Sequence, residues 1–314
     1  YSAADGNMEP WASRQIFRFM VGLILVLVIA VVDIRIWMRS AYLIYALALF
    51  TLVAVETFGF IGMGAQRWIY LGWFQLQPSE LMKIALVMAL ARYFHSTVLD
   101  DAMRPILLVV PVLMVLAPIG LVLRQPDLGT AAMLVVGAGA VFFVSGVAIR
   151  YFLIGGAIAV SAVPIAWQFL RDYQRERILT FLNPEADPLG AGYHILQSKI
   201  ALGSGGLFGR GFMHGTQSHL NFLPEHQTDF IFTMLAEELG LVGALGLLLL
   251  YLFLFAYGFA ISLRSRNHFG RLLGIGLTTT LFLYVFINIA MVTGLIPVVG
   301  IPLPLISYGG TAMM

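Results

Sequence analysis

The chain has 314 residues, of which 60% are hydrophobic and only 11% charged, and its mean hydropathy is +0.90. A soluble globule carries about 25% charged residues, so this composition cannot clothe a water-facing surface, and it is far too apolar for a disordered chain. The formal net charge of +2 gives no footing for nucleic-acid binding, and the lack of cysteine removes disulfides, thiolate nucleophiles and zinc–thiolate sites.

What remains is an all-α, polytopic helical membrane protein, because only closed hydrogen-bonded elements cross a bilayer. Spans are expected at about 16–32, 41–60, 79–95, 105–124, 128–146, 151–170, 229–262 and 272–292, eight in all. The seventh is too long for one straight crossing and should kink or project. The tail with Pro297, Pro302 and Pro304 reads as irregular or re-entrant backbone. The chain reads as a single membrane domain over 1–314, with one long polar loop at about 171–228. It opens at Tyr1 and stops just after Ser307-Tyr308-Gly309-Gly310, which suggests a fragment of a longer protein.

Orientation follows from the short loops. Arg35, Arg39, Arg92, Arg104, Arg150, Arg264, Arg266 and Arg271 gather on one side, against Arg14, Arg18, Arg67 and Arg124 on the other. The positive-inside rule places the first set in the cytoplasm. The Arg67 loop, the Gln125-Pro126-Asp127 turn, the long loop and the Pro-rich tail then lie outside.

Ionisable groups within spans are costly and are functional candidates by default. Glu80 and Lys83, three residues apart, share a helix face; they make either a mutual ion pair or a charged wall offering Lys83 to an anionic substrate. Asp229 opens the seventh span and reads as a helix cap or as a carboxylate base at the membrane boundary. Asp127 could likewise cap its helix, and Asp33 and Glu56 read as interfacial or paired. Of Glu237 and Glu238, only Glu237 could share a face with Asp229 at 3.6 residues per turn. The glycine-rich run 203–211, which includes Arg210, could cradle phosphate with exposed backbone N–H groups or be a simple surface turn. His194, His214, His219 and His226 share the long loop but match no zinc spacing. Residues 191–202 have the pattern of a helix lying in the membrane interface.

Several motifs, in order along nearly the whole chain, resemble the SEDS family (shape, elongation, division and sporulation proteins). They are Gly64-Ala65-Gln66-Arg67-Trp68, Gln77-Pro78-Ser79-Glu80 with Lys83, Gln125-Pro126-Asp127-Leu128-Gly129-Thr130, Asp187-Pro188-Leu189-Gly190, Gly215-Thr216-Gln217-Ser218, Thr228-Asp229-Phe230-Ile231-Phe232 and Pro304-Leu305-Ile306-Ser307-Tyr308-Gly309-Gly310. The stretch 172–177 and the lysine-free tail 297–304 resemble the elongation branch rather than the division branch.

The resemblance implies a ten-helix glycosyltransferase of the bacterial cytoplasmic membrane, of which this chain shows helices two to nine. It would polymerise lipid II into peptidoglycan strands on the outer side, among membrane lipid, with a class B penicillin-binding protein and the elongation machinery. It also implies that Asp229 is the essential carboxylate. One base then suffices, because the undecaprenyl pyrophosphate leaving group is already stable as an anion. Glu80, Lys83, Arg67, Gln217 and Arg210 form the expected supporting set. No cofactor is implied, although a divalent cation on the pyrophosphate is compatible with the chemistry. The competing functions are a lipid II flippase, a division-type polymerase and a non-catalytic scaffold. Residues 215–223, with Gln217 and Asn221, are expected near Asp229.

Overall fold

The computed structural model describes residues 6–9, 11–62, 65–70, 75–96, 105–170, 172–183, 191–215 and 227–309. Among these, helices α1 (Ala12–Val31), α2 (Ile34–Phe58), α3 (Pro78–His95), α4 (Pro105–Arg124), α5 (Leu128–Val144) and α6 (Ile149–Phe169) precede the long loop. The loop contributes α7 (Asp172–Leu182) and α8 (Ala191–Ser204), and α9 (Ile231–Arg264) and α10 (His268–Val292) follow. Each of the eight expected spans coincides with one helix. Among the described residues, six are long and apolar enough to cross a membrane: α1, α2, α4, α6, α9 and α10. Helices α1 and α6 bury none of their residues, an arrangement that water would penalise and lipid does not.

Two features differ from the expectation. The loop before α3 forms a three-stranded antiparallel sheet from β1 (Phe60–Gly62), β2 (Ala65–Tyr70) and β3 (Gln75–Leu76), in the order β1-β2-β3. The long loop was likewise expected to hold one helix and holds α7 as well. Both connections are long enough to pair their own backbone polar groups, as any enclosed segment must.

The described residues fall into two compact units, each discontinuous in sequence. One comprises residues 32–169 and 255–280. Its core gathers Leu52, Met82, Leu86, Leu90, Phe94, Leu134, Phe269 and Leu272, all essentially inaccessible. Helix α3 lies against α2, α4 and α5 and buries most of its length. It carries Glu80, Lys83 and Arg92 and is absent from the apolar spans. The least hydrophobic span is therefore the most enclosed one, because its neighbours, rather than lipid, are its solvent.

The other unit comprises residues 1–31, 170–254 and 281–314. Here α8 docks through Ser198, whose Oγ donates to the Val292 carbonyl at 2.7 Å and shares a 2.8 Å hydrogen bond with Thr233 Oγ1. Helix α9 is broken at Gly240, where φ is 68° and ψ −165°. The expected kink is present, and it leaves residues 241–264 as about 36 Å of helix, a full bilayer crossing.

A break at this depth would strand backbone groups, and the glycine-rich run meets them. The N–H groups of Arg210 and Gly211 donate to the carbonyls of Glu237 and Glu238 at 3.0 and 3.1 Å. Those of Leu241 and Val242 donate to Gly206 and Leu207 at 2.9 and 3.1 Å. Re-satisfaction by neighbouring backbone is what makes a broken helix tolerable in a membrane protein.

Candidate active site

Asp229 lies half-buried in the turn that leads into α9. Three consecutive carbonyls in this turn are held from the chain beyond α10's midpoint. Tyr308 N donates to Gln227 O at 2.8 Å, Ser307 Oγ to Thr228 O at 2.6 Å, and Asn288 Nδ2 to Asp229 O at 2.9 Å. Asn288 is fully buried, and its Nδ2 also donates to Ile301 O at 2.7 Å. Ser307, equally buried, accepts from Leu303 N at 2.7 Å. Gly300 faces the aspartate so closely that a Cβ there would sit 3.2 Å from Asp229 Oδ2.

The segment that supplies these contacts, 293–309, is irregular backbone, as its prolines foretold. It is fastened on several sides. Tyr251 OH donates to Pro304 O, and Val299 N and Gly300 N point at Met291 Sδ from 3.2 and 3.4 Å. Gln15 of α1 donates to Ser307 O at 2.8 Å and accepts from Gly309 N at 3.3 Å. The Arg18 guanidinium lies 4.6 Å from the centre of the Tyr308 ring, within cation–π range. The turn bearing Asp229 is thus set in a scaffold of directed bonds.

Three of the other expected site residues, Glu80, Lys83 and Arg67, belong to the unit of residues 32–169 and 255–280. In the unit built around α3, Lys83 is buried and its Nζ lies 2.8 Å from Glu80 Oε1. Met133 Sδ stands 3.9 Å away on the other side. The mutual ion pair is thus realised. Lys83→Met is expected to destabilise the protein by about 1–3 kcal/mol, because it leaves a half-buried carboxylate without its ammonium. Adding Glu80→Gln should restore most of that loss. Thermal unfolding of both variants in detergent checks this, and a double variant no more stable than the single one would refute it.

Arg67, expected to support substrate, directs its guanidinium to the turn before α5. Nε donates to Gln125 O at 3.2 Å, Nη2 to Pro126 O at 2.8 Å, and Nη1 lies 3.6 Å from Asp127 Oδ2. It pins β2 to the turn before α5, where Pro126 adopts a φ of 21°. Asp127 caps α5, its two carboxylate oxygens meeting Thr130 N at 3.1 Å and Thr130 Oγ1 at 3.0 Å. Asp33 similarly caps α2 by accepting from Arg35 N at 2.7 Å, and Glu56 lies 3.8 Å from Arg124.

Arg210 is exposed at the helix break, with Nε 3.4 Å from Ser204 O. The phosphate-cradle reading of its loop does not survive, since the N–H groups of Gly209, Arg210 and Gly211 all donate to carbonyls of this chain. Glu237 and Glu238 are both buried beside that break. Gln217 and Asn221, with all of the 215–223 strip except Gly215, lie outside the described residues, as do His219 and His226. Among the described residues, no three His, Cys, Asp or Glu side chains converge as metal ligands would.

Asn288, Gly300 and Gln15 were not singled out from the sequence, and Ser307 only as part of a motif. Asn288 had a readable signal, an amide inside an apolar span where every polar group needs a partner.

The profile of the cell cycle proteins FtsW, RodA and SpoVE matches residues 2–314. The peptidoglycan glycosyltransferase MrdB of Escherichia coli K12 is 46% identical over 313 residues, covering 99% of this chain and 84% of its own. Stage V sporulation protein E of Bacillus subtilis is 37% identical over 305 residues, covering 96% of this chain and 82% of its own. Among solved structures, a chain from a peptidoglycan synthase complex superposes with a TM-score of 0.81 at 34% identity, covering 96% of this chain and 86% of that one. The rod shape determining protein RodA of Thermus thermophilus gives 0.71 at 30% identity, with 99% and 84% covered. The chain belongs to the FtsW, RodA and SpoVE family of multi-pass membrane proteins.

Proposed function

We propose that this chain is a peptidoglycan glycosyltransferase of the elongation type, polymerising lipid II on the outer face of the cytoplasmic membrane beside a class B penicillin-binding protein. The observation that carries the reading is the turn at the head of α9, where Asp229 is held by bonds to three successive carbonyls. A carboxylate fixed at a membrane boundary can take a proton from an acceptor sugar hydroxyl as its oxygen attacks the anomeric carbon of the donor. The bond from that carbon to the pyrophosphate breaks, and the lipid pyrophosphate leaves as an anion. An α-linked donor then gives a β-1,4 product in a single inverting displacement. Relatives bearing glycosyltransferase names, and a structural neighbour within a synthase complex, support the enzyme class and the partner.

A divalent cation on the pyrophosphate would draw its oxygen ligands chiefly from the phosphates. The deciding experiment incubates the full-length protein and its synthase partner with labelled lipid II in vesicles. Glycan strands growing with time support the reading. Lipid movement across the bilayer without strand formation would transfer it to transport.

A further inference from the structure

We infer that Asn288 is a positioning residue for Asp229, seating the carboxylate by holding the main chain on which it stands. The inference rests on Asp229 as the base and goes beyond it, because Asn288 is assigned no role by the motifs. The amide sits on α10, wholly out of solvent, and one NH₂ group bridges two carbonyls, those of Asp229 and Ile301. Its Oδ1 is buried and meets no hydrogen-bond donor among the described residues. Native structures seldom leave a buried acceptor unsatisfied. The donating half of the side chain therefore justifies its presence, and the bridge is what that half does.

The bridge ties together both walls around the carboxylate. On one side it fixes the carbonyl of Asp229 itself. On the other it fixes Ile301, the neighbour of Gly300, whose backbone approaches Asp229 Oδ2. Ser307 repeats the arrangement one residue earlier, fixing Thr228 O while accepting from Leu303 N. The main chain of Asp229 is held, so the distance of its carboxylate from the sugar hydroxyl depends on these two buried side chains. Misplacing a reacting group by about 1 Å costs on the order of 100-fold in rate.

The test uses the full-length protein with its synthase partner and labelled lipid II as substrate. Asn288→Ala is expected to lower kcat about 10–100-fold while KM stays within about threefold, since the amide touches no substrate. The same substitution in an Asp229→Asn background should change the residual single-turnover rate less than about threefold, while lowering the unfolding temperature equally in both backgrounds. A purely structural role would reduce the rate by the same factor in both. Full kcat in folded Asn288→Ala, or equal losses in the two backgrounds, overturns the inference. If Asn288→Ala does not fold, Ser307→Ala, which releases Thr228 O and removes the acceptor of Leu303 N, is judged by the same two criteria. An active Asp229→Asn removes the base reading, and this inference with it. An inactive Asp229→Asn beside a fully active Asn288→Ala removes this inference alone.

Discussion

Asp229→Asn should yield a protein that inserts, folds and associates with its partner, yet makes no visible glycan strand. Asparagine matches aspartate in size, and the three bonds that fix this turn all end on backbone carbonyls. The substitution therefore leaves these three bonds in place and removes the carboxylate's capacity to accept a proton. Loss of a general base costs about 10²–10⁴-fold in rate, enough to empty a polymerisation gel at ordinary times. Lipid II binding, measured by retention on immobilised protein, should stay within a few fold. Near wild-type polymerisation by this variant would end the assignment of Asp229 as the base.

The largest effect on stability is expected at the helix break. Gly209 and Gly240 have φ values of 80° and 68°, and a Cβ on either would overlap backbone of the other segment. At Gly209 the obstacle is Glu238 O, and at Gly240 it is Gly209 N and Leu207 O. Neither can swing away as a side-chain tip would. A left-handed backbone costs a non-glycine residue about 1–3 kcal/mol, and overpacking adds about as much again. Gly209→Ala and Gly240→Ala should each lose about 3–5 kcal/mol and recover poorly from membranes. Gly203 and Gly246 meet nothing within 4 Å of a built Cβ, so alanine there should be harmless. Fluorescence-detected size exclusion of all four variants checks the contrast, and equal recovery would refute it.

The spans were legible in the sequence because lipid imposes a length and a composition on a helix, and both can be counted. The kink in α9 was legible for the same reason, as an apolar run too long for one bilayer. The expectation at Asp229 rests on motif resemblance, since locally the residue reads equally well as a cap. Arg67 and Arg210 show what such reading leaves open. A cation in a motif signals that it matters, but not whether its partner is a substrate phosphate or a carbonyl of its own chain, as at Gln125 and Pro126. The glycine run misled in the same way, since free N–H groups and N–H groups committed to a broken helix have the same sequence. Asn288 and Gln15 escaped because their partners lie 59 and 292 residues away, a distance over which local pattern carries no information.

Those long separations bear on how the enzyme is made. The unit that carries Asp229 draws on residues 1–31, 170–254 and 281–314, and Gln15 closes on residues 307 and 309. A chain threaded into the membrane from its amino end must hold α1 in waiting while the intervening helices are inserted. The turn before α9 acquires its hydrogen bonds only after residue 308 has been synthesised and the irregular segment has folded back. Contacts of such range form late, since the loop must close before they contribute. A partly inserted chain is then catalytically silent. The nascent protein would not spend a costly lipid-linked sugar before its own assembly is complete.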